Sequence, residues 1–255
     1  MKLAVLLYGL FRHRCAIKSW PNIFSSSVPY DAFIFATHTL MPNTARSRDG
    51  RIDVDALSLG IRGPSIVAWS ILDQDAFDVA NNVTRRSAQL KYRRAPETTK
   101  QNCVRVLFQL RELVALFTSH DAKCKSCYTH ILCTRVDVIF TRPVTVKDIY
   151  SRVYLPNFAH FRGYNDRLIA GPKEVLLPIL LRYKILRTFS KTHAYTPEAF
   201  LKWSVLRVVN ASEIRFGPVA MRRVRTTGLV HPAQYPNRTE AVDRLSYVNA
   251  SCSNV

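Results

Sequence analysis

Between Thr129 and Val144 the sequence reads THILCTRVDVIFTRPV. Two apolar runs, residues 130–133 and 138–140, flank Arg135-Val136-Asp137, and Arg142-Pro143 closes the stretch. A short β-branched and aliphatic run that ends at a proline predicts a buried strand. A guanidinium and a carboxylate inside such a strand are costly to bury without partners. The pattern therefore predicts that Arg135 and Asp137 stand side by side at the lip of a central sheet, with Asp137 presented to solvent where a ligand or metal ion can meet it. A buried structural ion pair is the competing reading.

Two other stretches carry chemistry. Residues 157–171 read NFAHFRGYNDRLIAG, and within them Gly163-Tyr164-Asn165-Asp166-Arg167 puts an amide, a carboxylate and a guanidinium together. Such a cluster on a loop beside a rigid strand is where function concentrates, although an Asx turn would use Asn165 and Asp166 to satisfy backbone amides. Near the start, the apolar run Leu3 to Leu7 leads to Tyr8-Gly9 and then to Arg12, His13 and Arg14. A strand, a glycine turn and a basic helix start can hold phosphate through backbone amides and guanidinium groups. No GxGxxG or GxxxxGK is present, so neither a dinucleotide fingerprint nor a P-loop is supported.

The elements that must position these residues follow from periodicity. The continuous apolar run Leu3 to Leu7 predicts a central parallel strand; a second buried strand is predicted at Ala32 to Thr37 and a third strand at Pro64 to Leu72. A long polar segment, Met41 to Gly63, carries Arg46, Arg48, Arg51 and Arg62. Val104, Leu107, Phe108, Leu110, Leu113, Val114 and Phe117 repeat at helical spacing, which predicts a helix capped by Thr98 or Thr99 and running to about Phe117. Arg105 falls on its polar edge. Short elements follow at Thr145 to Tyr150 (helix) and Val153 to Pro156 (strand). Helices are predicted from Pro172 to Tyr183 and from Pro197 to Val209, with Glu198 favouring the second helix's N-terminus. Late strands are predicted at Glu213 to Phe216 and Val219 to Arg225, the latter carrying Arg222, Arg223 and Arg225. His231 follows a Thr226-Thr227-Gly228 turn. No repeat or low-complexity linker interrupts the chain, so residues 1–230 read as one domain and 231–255 as a polar tail.

At 255 residues, with 47% hydrophobic and 22% charged content, the chain is an ordinary globular size and composition. Its formal net charge of +19 is not ordinary and points to an anionic partner: a nucleotide phosphate, a nucleic acid or a membrane surface. Six cysteines are too few for a disulfide framework in a chain this long. Cys124 and Cys127 form one CxxC without a second ligand pair for zinc; a turn with two free thiols is expected, with a labile disulfide as the alternative. No stretch reaches a membrane span, and the N-terminal run lacks a small-residue cleavage site. A cytoplasmic location, peripheral to membranes, is the expectation, while sequons at Asn82, Asn210, Asn237 and Asn249 keep a secretory lumen open.

Four blocks resemble the glycosyltransferase-like proteins of large algal viruses and their relatives, which adopt a GT-A-type fold. They are the start strand with Gly9 and Arg12; Arg135-Val136-Asp137; Tyr154-Leu155-Pro156 leading to Gly163-Tyr164-Asn165-Asp166-Arg167 and Gly171; and Met221-Arg222-Arg223-Val224-Arg225 with Gly228. Together they span most of the chain. The resemblance implies an α/β, Rossmann-like fold with a mixed central sheet flanked by helices. It also implies a viral enzyme of glycan biosynthesis that uses a nucleotide-diphosphate-sugar donor, a glycan or glycoprotein acceptor, and Mn²⁺ or Mg²⁺. In such proteins the Asp of the central motif bridges metal and diphosphate. Here Arg135 stands where the Asp-x-Asp form has its first acid, so Arg135 would itself neutralise the diphosphate.

Under that resemblance, Asp137 is the expected metal ligand, with His231 completing its coordination. Asp166 is the expected base for the acceptor hydroxyl. Tyr8, Gly9, Arg12, Arg105, Arg135, Asn165, Arg167 and Arg225 are the expected donor-binding residues. Sugar transfer through an oxocarbenium-like state builds negative charge on the leaving diphosphate, which cations stabilise. A basic nucleic-acid-binding protein and a catalytically inactive scaffold of the same fold are the alternatives.

Overall fold

The computed structural model describes residues 2–11, 16, 19–20, 23–24, 28–38, 65–92, 95–150 and 152–223. The first apolar run becomes strand β1 (Leu3–Leu10). Apolar on both faces, it needs cover on both sides and a place inside a sheet. It pairs in parallel with β2 (Tyr30–His38) and with β4 (His130–Arg135), and β2 pairs in parallel with β3 (Ser65–Asp73). Beyond β4 lie β7 (Leu168–Pro172), β6 (Val153–Pro156) and β8 (Ile214–Gly217). The seven strands run in the order β3-β2-β1-β4-β7-β6-β8. β7 is antiparallel to both neighbours, and β8 is parallel to β6. The chain is thus an α/β fold with a mixed, mostly parallel central sheet, Rossmann-like in its parallel half.

The two faces of β1 feed two cores. Ala4, Leu6 and Tyr8 join Phe33 and Phe35 of β2 against α3 (Glu97–Lys123), through Val104, Leu107, Phe108, Val114 and Phe117. The same core takes in α5 (Lys173–Leu180), α6 (Leu186–Thr192) and α7 (Pro197–Val205) through Leu176, Ile179, Phe189, Phe200 and Leu201. Leu3, Val5 and Leu7 face the other way, onto Trp20, Phe24 and Ile149, the last from α4 (Val146–Ile149). Two short helices, α1 (Gln74–Ala80) and α2 (Val83–Ala88), link β3 to α3.

Several boundaries differ from the expected ones. The stretch from Thr129 to Val144 is not one strand. Val136 N–H makes a last bond to the Tyr8 carbonyl, 2.8 Å, and the chain then turns. β5 (Val138–Phe140) pairs instead with β9 (Met221–Arg223) in a separate two-stranded sheet. β7 forms where a loop was expected, because its glycine- and proline-containing run is ordered by β4 and β6 rather than by its own propensity. α3 starts after Pro96, not at Thr98 or Thr99, and continues two turns past Phe117. Pro172 precedes α5 rather than lying in its first turn, and α7 stops at Val205.

Cys124 and Cys127 are joined in a disulfide after α3, which corrects the expectation of free thiols. Lys125 and Ser126 between them both take the left-handed conformation, reversing the chain and leaving the cysteine Cα atoms 5.6 Å apart, a separation a disulfide spans. Among the described residues no helix is long and apolar enough to cross a membrane.

Candidate functional site

Sheet register brings three sequence blocks to one edge. Tyr8 and Arg135 lie opposite one another at the carboxyl ends of β1 and β4. β7 runs the other way, so it begins at that same edge, with Leu168 opposite Thr134. The loop before β7 therefore delivers Asp166 and Arg167 beside Tyr8 and Arg135. The Tyr8 hydroxyl donates to the Asp166 carbonyl at 2.7 Å. The Thr134 hydroxyl and the Arg135 N–H donate to the Arg167 carbonyl at 2.9 and 3.3 Å. Gly9 closes β1 at φ +125°, a backbone state that side chains disfavour. The carboxyl edge of parallel strands is where open α/β sheets bind ligands.

Asp137 is the centre of an arginine cluster. Arg135 forks onto its carboxylate, Nε to Oδ1 at 2.7 Å and Nη2 to Oδ2 at 2.9 Å, and Arg223 Nε reaches Oδ2 at 2.8 Å. The Asp137 side chain is 0% exposed, while those of Arg135 and Arg223 keep 13% and 22%. The expectation that Asp137 faces solvent is thus corrected. A carboxylate this deeply buried is tolerated only with charged, hydrogen-bonded partners, and β9 supplies the second of them from 86 residues away. Asp137 orients guanidinium groups whose outer sides keep some access to solvent.

The field around these groups is crowded with positive charge. Burial disfavours the charge on Arg135, but Asp137, Tyr8 and Asp166 outweigh it and hold the guanidinium protonated. Arg167 goes the other way. Burial first, and then the neighbouring Arg135 guanidinium with Arg223 behind it, push Arg167 below the usual arginine range despite Asp166 and Asp137. A cation disfavoured by neighbouring cations is relieved by an anion. Burial pushes the Tyr8 hydroxyl far up, so it stays a donor.

The loop before β7 is held from three sides. Asn165, 1% exposed, donates from Nδ2 to the Phe158 carbonyl at 2.8 Å and accepts the Arg167 N–H at 2.9 Å. The Asx reading therefore describes Asn165: its amide closes the loop instead of meeting a donor molecule. Asn157 N–H donates to the Gly217 carbonyl on β8, and Tyr164 N–H to the Glu198 carbonyl on α7 at 2.9 Å. A Cβ on Gly163 would lie 2.0 Å from the Glu198 carbonyl carbon, so only glycine allows this approach. Ala159, Phe161 and Arg162 all take positive φ, a backbone cost that surroundings must maintain and that clusters at functional sites. Glu198, read from sequence as a helix-start acid, is half-buried. Burial and then Asp166 push its carboxyl up to about 7. A glutamate in a first helical turn looks the same in sequence whether it caps or reacts, so no local signal distinguishes the two.

The other expected residues are placed as follows. Arg105 is committed to Asp78 of α1, with Nε to Oδ1 at 2.9 Å, and to Asn102; the structure gives it that structural pairing rather than a place among the residues around Asp137. Arg12, Arg225 and His231 lie outside the described residues, as does the 231–255 tail. The donor set around Asp137 does not fit Mn²⁺ or Mg²⁺. Such ions need several oxygen ligands, whereas both oxygens here accept from guanidinium groups. A second grouping, Asp121 with Cys124 and Cys127, has the spacing of metal ligands. Its sulfurs are joined to each other, and Asp121 is held by Lys173 at 2.7 Å and by Tyr128 N–H. A cavity of about 400 Å³ between residues 90–92 and 191–194 shares no lining residue with the arginine cluster. No protein-family model matches the chain, and no curated protein matches it at a significant level.

Proposed function

We propose that the chain is a glycosyltransferase of GT-A type that moves a sugar from a nucleotide-diphosphate donor to a glycan or glycoprotein acceptor, with arginines taking the part usually given to a divalent cation. The observation that carries this is the gathering of guanidinium groups at the carboxyl edge of β1 and β4. Arg135 and Arg223 are braced on one buried carboxylate, and beside them the charge on Arg167 is disfavoured by burial first and then by Arg135 and Arg223. A diphosphate bound there restores the charge balance, and the same groups stabilise the leaving diphosphate as the glycosidic bond breaks. The mixed sheet flanked by helices is consistent with the GT-A-type reading, and Asp166 and Glu198 supply carboxylates beside the cluster. The excess of positive charge over the whole chain also suits a peripheral enzyme working at an anionic membrane or polysaccharide.

The test is incubation with a panel of UDP- and GDP-sugars, following nucleotide release with and without acceptor glycans. Release that Arg223→Ala and Arg167→Ala abolish supports the reading. Donor binding without turnover selects an inactive scaffold. No interaction with any nucleotide diphosphate, together with salt-dependent retention of random DNA, selects a nucleic-acid-binding protein.

A further inference from the structure

We propose that Glu198, in the first turn of α7, is the base that takes the proton from the acceptor hydroxyl, with the Asp166 carboxyl group beside it. This rests on the glycosyltransferase reading above and assigns one of its steps. The placement is set by backbone packing. Tyr164 N–H binds the Glu198 carbonyl, Gly163 admits α7 at a distance no side chain would allow, and the Thr196 hydroxyl caps α7 by accepting Ala199 N–H at 3.1 Å. The helix start and the loop before β7 therefore act as one rigid piece, and Glu198 keeps its position relative to Asp166.

The groups facing Glu198 come from every packed element. Asp166 and Arg167 come from the loop, Cys103 from α3 and Tyr195 from the segment before α7; Lys202 lies one turn on in α7, over the Tyr164 ring. Burial first and Asp166 second hold the Glu198 carboxyl near neutrality, against its own backbone amide and Arg167. Burial pushes Cys103 up to about 12 and the Tyr195 hydroxyl well above its ordinary range, so neither exchanges a proton near neutral pH.

Asp166 also faces a second polar neighbour. It lines a small cavity of about 10 Å³ with Tyr8, Cys133 and Arg182, room for about one water. Arg182 is 4% exposed, donates from Nη1 to the Ile179 carbonyl, and has no partner for Nε. A guanidinium buried so deeply needs a counter-charge, and Asp166 is the carboxylate in that cavity. The two carboxylates thus sit in different surroundings, which is how acid–base roles are divided within one site.

In the step, the acceptor oxygen bonds to the anomeric carbon as its proton passes to the ionised Glu198 carboxylate. The bond from that carbon to the diphosphate oxygen breaks, and its electron pair leaves on the diphosphate, against the guanidinium cluster.

The test measures kcat/KM against pH for wild type, Glu198→Gln and Asp166→Asn, with the UDP- or GDP-sugar that wild type accepts, alongside calorimetric donor binding. Wild type loses activity on the acid side with an apparent pKa of about 7. Glu198→Gln loses about 10²- to 10⁴-fold in turnover and binds donor as wild type does. Asp166→Asn moves the acid limb to lower pH, because the neighbouring negative charge is gone; a merely structural role would leave the limb in place. Near-normal turnover by Glu198→Gln, or an unmoved limb in Asp166→Asn, overturns this assignment while donor binding leaves the parent reading standing. If wild type binds no nucleotide sugar, both fall.

Discussion

Replacing Asp137 with asparagine separates a counter-ion from a metal ligand. The side chain is fully buried and accepts two N–H bonds from Arg135 and one from Arg223. Asparagine keeps the shape but removes the charge and turns one acceptor into a donor pointed at a guanidinium. Removing one partner from a buried ion pair costs about 3–5 kcal/mol. For a chain of this size each kcal/mol shifts Tm by roughly 2–4 °C, so the variant melts roughly 6–20 °C lower. The lost negative charge also raises the net positive charge around Arg135 and Arg223. Inorganic pyrophosphate therefore raises the Tm of Asp137→Asn more than that of wild type, where saturation at a hundred times Kd is worth about 2.7 kcal/mol. Thermal denaturation with and without pyrophosphate, in chelator, reads both effects. A drop of less than about 2 °C, or pyrophosphate protecting wild type but not the variant, refutes the counter-ion role and returns Asp137 to the ligand set.

Three further outcomes follow from other contacts. Gly163→Ala forces a Cβ to 2.0 Å from the α7 backbone, so loop and helix must part; a loss of at least about 1–3 kcal/mol in urea denaturation is expected. Reducing the Cys124–Cys127 disulfide frees a loop of a few residues and lowers stability by about 2 kcal/mol at most, read as a Tm difference with and without dithiothreitol. Glu198 makes stability fall toward neutral pH. Its folded value lies above its ordinary 4.5, so its contribution is complete below about 4.5 and lost as pH rises through about 7. Full burial would make that about 3 kcal/mol; partial exposure screens it to about 1 kcal/mol. Glu198→Gln flattens this part of the stability–pH curve, and an unchanged curve counts against its half-buried placement.

What the sequence discloses here depends on how local each signal is. Leu3 to Leu7 and Ala32 to Thr37 read as buried strands, and both lie in buried parallel strands, β1 and β2. Arg135 and Asp137 read as an adjacent pair at a strand end, and they are one. The fate of that pair is set by Arg223, 86 residues away on a strand that the sequence marks at Val219 to Arg225 without showing that it pairs with β5. Without that partner, exposure of Asp137 is the cheaper prediction; with it, burial is. β7 has weak propensity and exists because β4 and β6 offer it hydrogen bonds on both sides. Glu198 acquires its character from Asp166 and the packing against Gly163, neither of which is near it in sequence.

The most direct measurement is titration calorimetry of UDP- and GDP-sugars into the wild-type chain, first in EDTA and then in Mn²⁺. If arginines hold the diphosphate, at least one donor binds in EDTA with the affinity it shows in Mn²⁺, and Arg223→Ala abolishes that binding. Binding that appears only with Mn²⁺, or survives loss of Arg223 undiminished, contradicts the account.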